Sequence, residues 1–259
     1  MTLLDFPPEL RAFLGASFWH FAIVFLRVGA MTAVLPAFGE QYVPMNVKLG
    51  IAVAFTFVVA PALPLFPEPA TPLHFAGLAT SEAIVGLALG VSVRLFIFAL
   101  QIAGTIAAQS TSLSQVLGNI GADSLPAIGG VLLVSGLALA VMMGLHVRVA
   151  EFLIYSYQIF PVGAYPEPAG FSEWGLHRIS RAFYMAFTLS APFLITAVIY
   201  NLTLGVINRA MPQLMVVFIG APVITFGGLF ILMVGSPMIL DTWLREMMTF
   251  FSDPGGGLQ

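Results

Sequence analysis

Apolar residues in this chain fall into six long blocks, separated by short stretches of proline, glycine and polar side chains. The blocks are Trp19 to Leu35, Val47 to Phe66, Leu73 to about Gln109, Ala127 to Leu145, Arg178 to Gly205, and Gln213 to Leu240. Each is close to or above the length of about 20 apolar residues that an α-helix needs to cross a hydrocarbon core about 30 Å thick. Pro36 and Gly39 end the first block. Pro61 and Pro64 should break the second near its end, because proline lacks an N–H and clashes with the preceding turn. Pro67 to Pro72 and Pro161 to Trp174 read as connectors. His146, Arg148 and Glu151 open a short amphipathic piece that ends at Phe160. Pro192 should kink the fifth block, and Pro222, Gly227, Gly228 and Pro237 should interrupt the sixth. The ending S-D-P-G-G-G-L-Q reads as disordered.

The third block contains no internal proline. As one helix of ~36 residues it would be about 54 Å long, so it either projects beyond a bilayer or bends. On a helical wheel Glu82, Gly86, Gly90, Arg94, Gln101, Gly104 and Ala108 share a sector of roughly 120°. Ile84, Val91, Leu95, Ile102 and Ile106 lie opposite. Gly86 and Gly90 form a G-x-x-x-G pair, which permits close backbone approach. This face is expected to meet protein rather than lipid.

Composition sharpens that picture. With 59% hydrophobic and 8% charged residues in 259, and a mean hydropathy of +0.99, the chain reads as an integral membrane protein. A net charge of -3 leaves no footprint for nucleic acid. The absence of cysteine excludes disulfides, thiolate nucleophiles and cysteine-based metal sites. The start, M-T-L-L-D-F-P-P-E-L-R, has no basic n-region, so the first block is expected to be retained rather than cleaved as a signal peptide. Five arginines (Arg11, Arg148, Arg178, Arg181, Arg245) on one side of a six-span arrangement, against Lys48 and Arg209 on the other, tilt the termini towards the cytoplasm.

Enzymatic motifs are missing. His20, His74, His146 and His177 are scattered, with no H-E-x-x-H, G-x-S-x-G or Walker-type loop, so no catalytic, cofactor-binding or metal site is expected. Charges inside apolar blocks are stronger signals, because they are costly in hydrocarbon. Arg27, Glu82 and Arg94 are such charges. Glu82 and Arg94 lie about 18 Å apart along one helix, so each needs a partner elsewhere. That partner is either a structural ion pair or aqueous boundary, or a substrate or proton pathway.

Two polar stretches stand out. Gln109 to Pro126, Q-S-T-S-L-S-Q-V-L-G-N-I-G-A-D-S-L-P, is polar but nearly uncharged, and apolar runs flank it. It reads either as an ordinary interhelical loop or as a segment at the centre of a conduit, where non-helical backbone is tolerated against protein or water. In the second stretch Asn201, Gly205, Asn208 and Pro212 follow i, i+4, i+7, i+11 spacing, a polar and small stripe on one helix face. A hairpin turn is expected at Arg209 to Gln213, with Arg209 either capping freed carbonyls or meeting another subunit.

The pattern N-R-x-x-P-Q-L-x-x-x-x-I-G-x-P, from Asn208 to Pro222, with Gly205 before it and Gly228 after it, resembles the signature of the flagellar biosynthetic protein FliR family. The T components of virulence type III secretion systems are relatives of that family. Arg27, Pro36, Gly39, Pro44 and Lys48 resemble its first hairpin, and Glu82, Gly86, Gly90 and Gly104 its long middle helix. The resemblance runs from about Trp19 to Pro237, and Ile219-Gly220-Ala221-Pro222 looks more flagellar than injectisome-like.

The resemblance implies an all-α fold of membrane-associated helical hairpins, stacked largely above the membrane plane. A FliP-like part (residues 1–175, central loop 109–125) would be fused to a FliQ-like hairpin (176–240), followed by a flexible tail (241–259). It implies a subunit of the flagellar type III export gate in the bacterial inner membrane, at the flagellar basal body, that works without a cofactor. Partners would be FliP-like and FliQ-like subunits, an FlhB-like protein around the cytoplasmic entrance, and unfolded flagellar proteins as cargo. By position, Gln109 to Leu125 matches a loop that plugs the channel in that family. The plug candidates are Gln109, Ser110, Ser112, Leu113, Gln115, Val116, Leu117, Asn119 and Ile120. The subunit-packing candidates are Arg27, Glu82, Gly86, Gly90, Arg94, Asn201, Gly205, Asn208, Arg209, Pro212 and Gln213. The rival readings are the equivalent virulence subunit and a stand-alone secondary transporter, for which no inverted repeat is visible.

Overall fold

Local chemistry sets most of the helix ends. In the computed structural model, which describes residues 8–40, 43–111, 127–211 and 216–253, every regular element is helical. Helix α1 spans Pro8–Val34. The chain then turns through Ala37, whose φ is 67°, and Gly39 N–H donates to the Leu35 carbonyl at 2.7 Å. A Cβ on Gly39 would sit 2.5 Å from the Ala33 carbonyl oxygen, so only glycine fits this turn. Helix α2 (Met45–Val59) gives way to a 3-10 turn, Ala60–Ala62, that carries Pro61. The expected break is at that proline.

Helix α3 (Pro72–Thr111) is one element of 40 residues, about 60 Å long. Its start is capped reciprocally: His74 N–H donates to Thr71 Oγ1 at 3.1 Å, and Ala70 N–H donates to His74 Nδ1 at 3.3 Å. This is a variant of the capping box, in which the returning histidine accepts from the N–H one residue before the cap Thr71. Helices α4 (Ala127–Met142) and α5 (Leu145–Ile159) are separated at Gly144, which has a φ of 82°.

Several boundaries differ from the sequence reading. Helix α1 starts at Pro8, eleven residues ahead of the block expected from Trp19. Helix α3 stays helical through Gln109, Ser110 and Thr111, the first residues of the expected loop 109–125. The other differences are in the last two helices. Helix α6 spans Pro168–Ala210 and so begins inside the stretch expected to be a connector up to Trp174. Proline at the first helical position loses no intrahelical bond. Glu167 caps the end by accepting from Ala169 N–H at 3.3 Å and Gly170 N–H at 2.7 Å. Helix α7 spans Val216–Ser252. It runs through Pro222 and Pro237, which were expected to interrupt it, and continues twelve residues past Leu240, where the tail was expected to start. Trp243, Met247, Phe250 and Phe251 in that extension are buried, so core contacts hold it helical.

Five of these helices are long and apolar enough to cross a membrane, and α4 with α5 makes a sixth if the broken pair counts as one. The chain forms two compact units. One comprises Met1–Arg94, Gly144–Arg178 and Met248–Gln259. Its core holds Ile23, Val28 and Met31 of α1, with Phe152 of α5 against Phe250 and Phe251 at centroid distances of 5.2 and 5.4 Å. The other comprises Leu95–Met143 and Ile179–Met247. There Trp243 Nε1 donates to the Phe96 carbonyl at 2.8 Å, and Gly104 of α3 packs directly on Gly129 of α4.

Candidate functional site

Arg27, on α1, is 0% exposed and so is Glu82, on α3. The guanidinium grips the carboxylate by two bonds, Nε to Oε2 at 2.8 Å and Nη2 to Oε1 at 3.1 Å. This fork geometry is the strongest form of the pair. Nη2 also donates to the Phe160 carbonyl at 2.8 Å, and Nη1 to Ser156 Oγ at 3.2 Å. The Tyr157 ring lies against the guanidinium, with Cζ 3.8 Å from its centroid. Glu82 Oε1 accepts a further bond from Gly163 N–H at 3.1 Å. A buried ion pair is tolerable only when its remaining donors and acceptors are satisfied, and here four of the five guanidinium N–H groups and both carboxylate oxygens have partners. The cluster joins α1, α3, α5 and the segment after α5. Among the two readings of these charges, the geometry realises the structural ion pair.

The glycines beside it explain how the charges come so close. A Cβ on Gly86 would overlap the Arg27 carbonyl oxygen, and one on Gly90 would lie 2.8 Å from the Met31 carbonyl oxygen. Backbone, not a movable side chain, blocks both positions, so α1 and α3 touch through glycine. Arg94 is the third charge. Its Nη1 donates to the Val34 carbonyl at 3.2 Å, and its Nη2 lies 3.8 Å from Glu40. It therefore caps the C-terminus of α1, where carbonyls lack intrahelical donors. These five candidates (Arg27, Glu82, Gly86, Gly90, Arg94) all have contacts within their own chain.

The candidates of the second stretch are placed differently. Helices α6 and α7 pack side by side in antiparallel directions. Arg181 of α6 meets Glu246 of α7 at 2.8 Å, and nearer the other end Gly220 leaves room for the Tyr200 hydroxyl and the Leu204 side chain. Past Tyr200, α6 is exposed at every described position except the half-buried Leu204. Asn201, Gly205, Asn208 and Arg209 are all exposed there, and nothing lies within 4 Å of where a Gly205 Cβ would stand. Leu202 and Val206 on α6, and Val223, Phe226 and Phe230 on α7, are also more than half exposed. Helix α6 ends at Ala210 and α7 resumes at Val216. Pro212 and Gln213 lie outside the described residues.

Of the plug candidates, Gln109 is exposed near the end of α3, and Ser110 Oγ donates to the Ala107 carbonyl at 2.8 Å. Ser112, Leu113, Gln115, Val116, Leu117, Asn119 and Ile120 lie outside the described residues. Among the described residues no group of three or more His, Asp or Glu side chains could hold a metal.

Sequence reasoning missed Ser156, Tyr157 and Gly163 as members of the charge cluster. A signal existed. Helix α5 buries Leu145, Val149, Phe152, Ser156 and Tyr157, so its apolar face carries two hydroxyl side chains that stand out there. Ser156 Oγ accepts from Arg27, whereas Tyr157 contributes its ring, and its buried hydroxyl has no hydrogen-bond partner among the described residues.

Residues 18–250 match the family described as bacterial export proteins, family 1. The flagellar biosynthetic protein FliR of Caulobacter vibrioides is 29% identical over 89% of this chain and 95% of its own length. FliR of Bacillus subtilis is 30% identical over 78% and 80%. The secretion system apparatus protein SsaT of Salmonella typhimurium is 25% identical over 89% and 92%. An all-helical chain with a long glycine-faced α3 and an antiparallel α6–α7 pair, matched across nearly its whole length in this way, belongs to the bacterial export proteins, family 1, the family of FliR.

Proposed function

We propose that this chain is a subunit of the flagellar type III export gate in the bacterial inner membrane, at the flagellar basal body. It assembles with FliP-like and FliQ-like chains into the channel that unfolded flagellar proteins cross, with an FlhB-like protein at the entrance. It does no chemistry of its own. The observation that carries this reading is similarity to FliR proteins over 78–89% of the chain. The structure adds support of a different kind. Among the described residues, the far half of the α6–α7 pair exposes polar and apolar side chains alike. That is expected of a subunit whose cover is supplied by neighbours. Residues 1–175 would be the FliP-like part and 176–240 the FliQ-like hairpin. Asn201, Gly205, Asn208 and Arg209, with Pro212 and Gln213, would face a neighbouring subunit.

Residues 109–125 would plug the closed channel. A conduit wide enough for an unfolded chain leaks ions unless something removable fills it. A filler with many Ser, Gln and Gly residues and almost no charge suits that task, since a fixed charge would pay desolvation in a closed pore. The SsaT match keeps the virulence counterpart as a second reading. Deleting the gene in its own host tests both. Loss of hook and filament proteins from the medium, with motility lost, is expected. Normal flagella with loss of other secreted proteins would favour the virulence reading, and normal secretion of both classes would overturn the proposal.

A further inference from the structure

A groove runs along the outside of the α1–α2 pair. Its upper part, about 470 Å³, is walled by Phe18, Phe21, Phe25 and Phe57. Its lower part, about 290 Å³, shares Phe25 and continues over Gly29, Ala33 and Ala52 to Lys48. From Phe18 to Ala33 it covers about 22 Å of α1 at 1.5 Å per residue. One leaflet of a bilayer core is about 15 Å deep. Of the three hydroxyl side chains in the walls, Ser17 lies at the upper end, and the other two are already used: Thr32 Oγ1 donates to the Gly29 carbonyl and Thr56 Oγ1 to the Ala52 carbonyl, at 3.1 and 2.7 Å. Below Ser17 an occupant therefore meets mostly hydrocarbon.

The lower end is different. Lys48 Nζ donates to the Gly39 carbonyl at 2.9 Å, which uses one of its three N–H donors. Among the described residues Lys48 has no carboxylate partner; the nearby Glu40 is turned to Arg94. Lys48 also sits in the first turn of α2, at the edge of a candidate span that begins at Met45, and the positive end of that helix adds to its field. An apolar bed about 22 Å long, longer than one leaflet of a bilayer core, ends at an ammonium with no carboxylate partner among the described residues, and it matches one kind of molecule in shape and charge.

We infer that the α1–α2 groove is a binding site for an anionic phospholipid, one acyl chain lying between the phenylalanines and the headgroup phosphate held by Lys48. A partner helix fits less well. A helix 10–12 Å across would fill about 2,000 Å³ over this length, several times the groove, so it could cross the rim but not seat in the bed. The inference stands apart from the export reading, because it rests on this one face of the chain.

Native mass spectrometry of the full-length protein in mild detergent, titrated with phosphatidylglycerol and with phosphatidylethanolamine, tests it. Phosphatidylglycerol should bind preferentially. Lys48→Gln should weaken it about fivefold, the effect of one basic side chain beside an anionic surface, and erase the preference, while Lys48→Arg keeps it. Ala22→Trp, which fills the bed, should weaken both lipids. Equal binding of the two lipids, or a preference that survives Lys48→Gln, overturns the proposal. So does a photoreactive side chain at position 22 that captures a protein rather than lipid in membranes, which would give the groove to a partner helix.

Discussion

Removing either member of the Arg27–Glu82 pair leaves the other charge buried without its counter-ion. Breaking such pairs costs about 3–5 kcal/mol. Glu82→Ala and Arg27→Ala should therefore each lower the thermal stability of the purified chain sharply. Arg27→Met with Glu82→Leu should be milder than either alone, because the double change leaves no orphan charge. Additive losses in the double variant, measured by detergent-phase thermal unfolding, would show that the two side chains act independently. Arg27→Lys should not rescue, since an ammonium cannot make the fork or lie flat on the Tyr157 ring.

Two glycines give a contrast at the same scale. A Cβ on Gly86 meets the backbone of α1, whereas one on Gly205 meets nothing. Gly86→Ala should destabilise the chain itself. Gly205→Ala should stabilise the isolated chain by about 0.5–1 kcal/mol, the usual gain from replacing glycine inside a helix. Gly205→Leu should fold normally yet impair export, if the exposed stripe meets a neighbour. Normal export by Gly205→Leu would remove Gly205 from any interface.

At the scale of elements, the blocks of apolar residues forecast the helices well, because each helix is long and its apolar content is dense. The glycine face of α3 was readable for the same reason: one period of 3.6 over ten turns leaves little ambiguity. The start of α6 was not readable. Proline and glycine near Pro168 look like a connector, and only the Glu167 cap shows that the proline opens a helix. The far end of α7 was misjudged because Asp241, Arg245 and Glu246 look like a solvated tail. They occupy the outer face of a turn whose inner face is Trp243 and Met247. The partners of Arg27 could not be read at all. They lie 55 to 133 residues away, and nothing in a single sequence states which distant elements meet.

The end of the α6–α7 pair carries its own prediction. Arg209 is exposed in the last turn of α6, while Arg245 is exposed on α7 with Asp241 as its partner at 2.8 Å. Neither contributes much to the fold, since exposed charges are worth about 0–1 kcal/mol. Arg209→Ala should nevertheless reduce export more than Arg245→Ala, because it sits beside the uncovered stripe. Equal, mild effects in a swarming assay would mean that this end is only a surface turn.

For the whole molecule, length is the strongest constraint. Exposed apolar side chains on α6 run from Leu176 to Val206, about 45 Å along the helix, against a hydrocarbon core of about 30 Å. A helix standing upright leaves about 15 Å of that stretch outside the core, which either tilt or a neighbouring protein covers. The same reasoning governs the loop proposed as a plug. Deleting Ser110 to Ala122 should leave the subunit assembled but make membranes conduct ions, seen as growth inhibition on overexpression. A deleted complex that assembles and stays tight would make the stretch a connector.

The claim that this chain is incomplete by itself is tested most directly by the native mass of the full-length protein extracted from its own cells. One large assembly that contains this chain together with unlike subunits is expected. A monodisperse, stable single chain, or a homo-oligomer free of other proteins, would contradict it and restore the stand-alone transporter.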